Sequence, residues 1–224
     1  MIFDLDDTLY PEMEHVVGAF KPVSRYLERQ FKGQKHFFDM MVEVFRAGRS
    51  KKVFNAVLEE MGLPHDQQLI ATLVSIYRAH QPIIRPFPGA RETMRALRTR
   101  FRVGLLTDGH LETQRKKVRA LGIAQYFDRI IYTDEHGKDW WKPSRLGFEE
   151  MQRSFGLSGA QCAYIADNPL KDFYAPNTMG WLTIRVRSKD GLYARLEASG
   201  DYKARSQIDQ IASVLRILEN CGRG

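Results

Sequence analysis

Apolar residues recur along this chain in two rhythms. Over residues 12–80 the spacing is helical: Val16, Phe20, Val23, Leu27 and Phe31 fall at i, i+3, i+4 intervals, as do Phe37, Met41 and Val44, and then Phe54, Val57, Leu58 and Met61. The pattern predicts four helices, broken at Lys32-Gly33, Ala47-Gly48 and Gly62-Leu63-Pro64, where glycine and proline interrupt it. Pro22 has no amide hydrogen to donate, so it is expected to kink or divide the first helix.

From Arg91 onward the rhythm changes. Short apolar runs at residues 101–107, 129–132, 162–167 and 181–186 alternate with helical stretches at 91–99, 111–121, 146–155 and 207–218. Such alternation implies right-handed crossover units and a parallel sheet. Residues 1–5 form one more apolar strand, separated from the others by the helical block. The economical architecture is α/β: a Rossmann-like parallel sheet core from residues 1–9 and 86–224, with an α-helical cap domain, residues 10–85, inserted straight after the first strand. Ligands of open α/β sheets bind at the carboxyl ends of the strands, so the insert is expected to lie over that end like a lid.

Composition narrows the class. A chain of 224 residues with 43% hydrophobic and 27% charged residues has enough material for a proper core and is ordinary for a globular protein. No segment approaches the roughly 18 consecutive apolar residues of a membrane span, and no signal peptide is recognisable, which predicts a cytoplasmic protein with no membrane partner. Cys162 and Cys221 are too few to announce a disulfide framework or a zinc site, and Cys162, in an apolar run, is expected to be a small buried hydrophobe. The net charge of +7 is dispersed among acids, without a basic block, so nucleic acid is not an expected partner and an anionic small substrate explains the excess just as well.

Candidate chemistry gathers where strands end. The first strand closes in Asp4-Leu5-Asp6-Asp7-Thr8; in extended chain positions i and i+2 face one side, so Asp4 and Asp6 can share a reaction centre while Asp7 points away and is structural. The run 101–107 ends in Thr107-Asp108-Gly109 and opens a helix, the makings of a phosphate cradle. Lys142 precedes Pro143, which holds it extended and suits a cation reaching inward. The run 162–167 ends in Asp167, with Asp172 five residues on. Each feature alone is common connection chemistry; together they stand in order at successive strand ends.

That ordered set resembles the four motifs of the haloacid dehalogenase superfamily, most of whose members are phosphatases and phosphotransferases. The resemblance implies Asp4 as the nucleophile that forms an aspartyl-phosphate, Asp6 as general acid and base, and Thr107, Asp108, Gly109 and Lys142 as the phosphate site. It implies Mg2+ held by the carboxylates of Asp4 and Asp167 and the backbone carbonyl of Asp6, with Thr8 supporting the loop and Asp172 orienting Lys142 or a metal-bound water. The dehalogenases that name the family lack the second Asp, which argues against dehalogenation here. Residues 3–10 are similar to the branch with pyrimidine nucleotidases and riboflavin-pathway phosphatases, so a nucleotide, flavin-related or sugar phosphate is the implied substrate. A sugar phosphomutase, or a phospho-ligand or nucleic-acid binder without catalysis, is the alternative. Specificity is expected from the insert. Its turn Arg46-Ala47-Gly48-Arg49-Ser50 occupies a position that in similar caps reaches toward the leaving group, although Arg46, Arg49, Lys51 and Lys52 also read as a solvated charged turn.

Overall fold

Met1, Ile2 and Phe3 are almost wholly buried, and a strand of only two residues, β1 (Ile2–Phe3), forms the centre of the sheet. A computed structural model describes residues 1–221 and places β1 between β2 (Gly104–Thr107) and β4 (Ala163–Ala166). With β3 (Arg129–Tyr132), β5 (Leu182–Val186) and β6 (Ser206–Ile208) the strand order is β3-β2-β1-β4-β5-β6, every neighbouring pair parallel.

Side-chain alternation along the strands builds two cores. Phe3, Leu105, Ile165 and Ile184 face one side, where Ala90, Met94 and Leu97 of α5 (Ala90–Arg98) and Val118 and Leu121 of α6 (Leu111–Leu121) cover them. Their neighbours Ile2, Leu106, Tyr164 and Ala166 face the other, against Phe148 and Met151 of α7 (Leu146–Phe155) and Ala175 of α8 (Tyr174–Thr178). The strand order reverses direction at β1, and in such sheets the crevice outside the carboxyl ends at that point is the natural ligand site.

The chain divides into two compact units: Met1–Glu12 together with the chain from Ile84 onward, and Met13–Ile83. Tyr10, Pro11 and Glu12 at one junction, and Ile84 and Arg85 at the other, thus belong with the sheet, whereas the sequence pattern assigned them to the insert. Burial explains part of this: Tyr10 and Ile84 belong to the apolar core over β1. Helices α1 (Glu12–Gln30), α2 (Phe37–Arg46), α3 (Val53–Glu60) and α4 (Gln67–Ala79) supply the helical unit. Phe20 lies at its centre, with Phe45 and Phe54 edge-on at 6.1 and 6.2 Å between ring centroids. The Asp66 side chain caps α4 by accepting from the Leu69 amide at 2.7 Å. Gly62, at φ +63°, ends α3 in a conformation that favours glycine.

Two expectations change. Pro22 does not divide α1, which runs through it as one 19-residue helix, because Val16, Ala19, Phe20, Val23 and Leu27 are buried along one stripe on both sides of the proline. Residues 207–218 are not one helix: Gln207 and Ile208 lie in β6, which pairs with the edge of β5 in the register Ile184 to Ser206, and α9 (Val214–Cys221) starts only after a short 3-10 turn. Ile208, Ile211 and Leu215 are spaced as in a helix, and three residues are too few to show a strand's alternation.

Candidate active site

β1 ends at Phe3, and the chain then turns tightly, the Leu9 amide donating to the Leu5 carbonyl at 3.0 Å. Asp4 is fixed at the head of this turn by its own amide, which donates to the Ile165 carbonyl of β4 at 2.9 Å. Asp7 occupies the left-handed region at φ +50°, a conformation Asp tolerates better than most residues. Its carboxylate accepts from the Glu12 amide at 2.8 Å and the Leu192 amide at 2.9 Å, tying the loop after β5 to the turn, the structural part expected of it.

The motif residues converge. Lys142 reaches inward with a fully buried side chain and donates to Asp4 Oδ1 at 2.7 Å, Asp172 Oδ1 at 2.7 Å and Tyr164 Oη at 2.9 Å, so each ammonium hydrogen has an acceptor. Asp172 accepts the Asn168 amide on its second oxygen at 2.9 Å. Thr8 Oγ1 lies 3.5 Å from Asp167 Oδ1. Carboxylate oxygens of Asp4, Asp167 and Asp172 all lie within 4.8 Å of one another.

Burial sets the charge state of this cluster. Burial pushes Asp4 up to about 7 even though Lys142 beside it pulls the other way. Burial, with Asp172 and Asp4 adding to it, holds Asp167 well above the usual carboxylate range. Three buried carboxylates therefore stand together, and the Lys142 ammonium bonds two of them, Asp4 and Asp172. With both Asp172 oxygens engaged by Lys142 and Asn168, the Asp4 and Asp167 carboxylates are the oxygen donors left to serve a hard divalent cation, and the donor set fits Mg2+.

Asp6 lies in a different environment. Burial alone would raise its pKa, but the Lys117 ammonium and hydrogen bonds from Lys117, Tyr10 and Gln114 bring it down to about 2. Lys117 Nζ donates to Oδ1 at 2.7 Å, the Tyr10 hydroxyl donates to the same oxygen, and Gln114 Nε2 donates to Oδ2 at 2.8 Å. Gln114 Nε2 also donates to Thr107 Oγ1 at 2.7 Å.

At the end of β2, Asp108 accepts from Thr133 Oγ1 at 2.9 Å, the Lys142 amide at 3.3 Å and Lys171 Nζ at 3.0 Å. Burial raises its pKa, and Lys142 and Lys171 together outweigh burial and lower it. An ionised carboxylate has no hydrogen to donate, so any phosphate contact from Asp108 has to come through its backbone amide. Gly109, at φ +122°, makes the turn into α6.

Arg46, Arg49 and Ser50 lie in the other unit. Arg46 ends α2, Arg49 forms an exposed ion pair with Glu60, and Ser50 opens a 3-10 turn. Gln114, Lys117, Tyr10, Lys171, Thr133 and Tyr164 were not singled out from the sequence. One signal was available for α6, where Thr113, Gln114 and Lys117 are buried alongside Val118 and Leu121, polar residues on the inward face of an amphipathic helix.

The family model described as haloacid dehalogenase-like hydrolase matches residues 1–176. A glyceraldehyde 3-phosphate phosphatase of Methanopyrus kandleri is 27% identical over 209 residues, 90% of this chain and 88% of that protein. One from Methanocaldococcus jannaschii is 25% identical over 98% of this chain and 96% of that protein. Among solved structures, the HAD-hydrolase YfnB of Bacillus subtilis superposes with a TM-score of 0.74 at 18% identity, covering 97% of this chain and 96% of that one.

Proposed function

The chain belongs to the haloacid dehalogenase-like hydrolases, and from that membership we propose that it is a magnesium-dependent phosphatase of a small phosphorylated metabolite, acting through an aspartyl-phosphate on Asp4. The observation that carries this reading is the Asp4 carboxylate held by Lys142 at 2.7 Å within a cluster of buried acids at the carboxyl end of β1. Phosphate monoesters are dianions, so a carboxylate can approach phosphorus only where charge is neutralised. The Asp4 and Asp167 carboxylates and the Asp6 carbonyl would hold Mg2+, which would supply that neutralisation.

The remaining work falls to the chain's own side chains. Lys142 fixes the attacking oxygen of Asp4 and faces the incoming phosphoryl group with positive charge. Thr107 and the amides of Asp108 and Gly109 bind phosphoryl oxygens at the start of α6. A bond forms from Asp4 oxygen to phosphorus as the ester P–O bond breaks, and Asp6 delivers a proton to the departing oxygen. The ionised Asp6 of the free site is ready for the second half, taking a proton from the water that hydrolyses the aspartyl-phosphate. For the first half it must be protonated, and the negative charge of arriving substrate favours that form. A halide needs no proton, so an Asp6 held by three donors fits an ester substrate better than a haloacid.

We assign specificity to the helical insert as a cap, with Arg46, Arg49 and Ser50 the residues to test. Nucleotide, flavin-related and sugar phosphates are the candidates. The relatives named glyceraldehyde 3-phosphate phosphatases add triose phosphates to that set. The test is phosphate release from a panel of such metabolites and an aryl phosphate, each with and without Mg2+. Magnesium-dependent release, strongest for one metabolite class, is expected; no release from any ester overturns the reading.

A further inference from the structure

Lys117 is a buried cation that the phosphoryl chemistry does not itself require. Its side chain is 5% exposed and its ammonium lies 2.7 Å from Asp6 Oδ1. Burying an ammonium is costly unless it is paired, so the pair is a specific arrangement and not an incidental surface contact. One turn earlier on the same face of α6, the amide nitrogen of Gln114 donates to Asp6 Oδ2 at 2.8 Å and to Thr107 Oγ1 at 2.7 Å. A single amide thus joins the acid/base group to the hydroxyl of the phosphate-binding turn, and the Tyr10 hydroxyl completes the set of donors on Asp6.

We infer that Lys117 and Gln114 are positioning residues for the acid/base step: together they fix the direction of the Asp6 carboxylate, and Gln114 keeps it in register with Thr107. This inference rests on the phosphatase reading. Without these two donors the Tyr10 hydroxyl holds one oxygen of Asp6 and the carboxylate can turn about that contact, so fewer of its orientations direct an oxygen at the leaving group. The two contacts leave the Asp4–Lys142 pair untouched, so nucleophilic attack keeps its own geometry.

The test uses Lys117→Met, Lys117→Arg and Gln114→Met in wild-type and Asp6→Asn backgrounds, assayed with an alkyl phosphate and with 4-nitrophenyl phosphate. Lys117→Met and Gln114→Met are expected to lower kcat on the alkyl ester by about 10- to 100-fold, the usual loss for groups that orient a site residue. For Lys117→Met, which does not touch Thr107, KM should stay nearly unchanged; for both variants the loss on the nitrophenyl ester, whose leaving group needs no proton, should be smaller, and Lys117→Arg should recover part of the rate. In the Asp6→Asn background the same changes should cost little more, because the group they position is already gone. Equal losses on both esters, a loss confined to KM, or full additivity with Asp6→Asn would overturn the inference. Gln114→Met removes no charge and carries the test if Lys117→Met does not fold.

A second readout needs neither substrate nor metal. In magnesium-free urea unfolding, Asp6→Asn with Lys117→Met should lower the midpoint by less than the sum of the single changes; additive midpoints overturn the inference whatever the enzyme turns over. A wild-type protein inert toward every ester defeats the phosphatase reading instead, and the urea cycle tells the two failures apart.

Discussion

Replacing Lys142 with methionine removes the cation shared by Asp4 and Asp172 while nearly preserving its volume. Nζ lies 2.7 Å from an oxygen of each, and the lysine side chain has no exposure, so both acids lose their ion pair inside the protein. Removing one partner of a buried pair typically costs about 3–5 kcal/mol. Proton uptake sets the ceiling: holding one aspartic acid neutral at pH 7.5 costs about 5 kcal/mol, at about 1.4 kcal/mol for each unit above its unfolded value of ~3.9. The native variant then binds more protons than native wild type, so its deficit shrinks on acidification, by up to about 1.4 kcal/mol per unit for each extra proton held. Urea unfolding without metal is therefore expected to show a deficit of about 3–5 kcal/mol at pH 7.5 that is clearly smaller at pH 5.5. A deficit below about 1 kcal/mol at pH 7.5, the range of an exposed pair, or one that does not change with pH, would refute the reasoning.

Magnesium binding should strengthen from pH 6 to 8 and release protons, because burial holds Asp4 at about 7 and Asp167 well above its ordinary value, and both must ionise to serve the ion. Calorimetry in buffers of different ionisation enthalpy reads the protons; an affinity flat across that range would contradict the shifts. In metal-free protein the raised Asp4 lowers stability as pH climbs from about 4 to 7, since the native state keeps a proton the unfolded chain has lost; the lowered Asp6 adds stability above about 4 that is lost as pH falls toward 2. Arg49→Ala should raise KM for the preferred metabolite and leave an aryl phosphate nearly unaffected, with little change in stability because its pair with Glu60 is exposed. Equal effects on both substrates, or none, would remove this turn from the specificity site.

Local pattern carried much of the fold. The segments 111–121, 146–155 and 129–132 coincide with α6, α7 and β3 because each has its apolar period and its punctuation within its own residues. β6 was hidden because its identity lies in the register with β5, and the persistence of α1 through Pro22 comes from packing that no local rule contains. Asp4, Thr107 and Asp167 were legible as strand ends, whereas Lys142 lies beyond two 3-10 turns that follow β3. The partners of the motif residues were not legible: Lys117 meets Asp6 across 111 positions and Lys171 meets Asp108 across 63, contacts that only the crossover of the sheet creates. The apolar stripe of α6 left Gln114 and Lys117 visible as exceptions, but not what they hold.

The covalent step is the most direct point of attack. During turnover of an activated ester, acid quenching followed by mass spectrometry of the peptide containing Asp4 should find one added phosphoryl group on that residue. The signal should grow in Asp6→Asn, where hydrolysis of the aspartyl-phosphate slows, and vanish in Asp4→Asn, which keeps an oxygen for Lys142 and should remain folded but inert. Substantial turnover by a folded Asp4→Asn protein, or phosphate release by wild type with no phosphoryl group ever found on Asp4 in either active form, would contradict the assignment of Asp4 as the nucleophile.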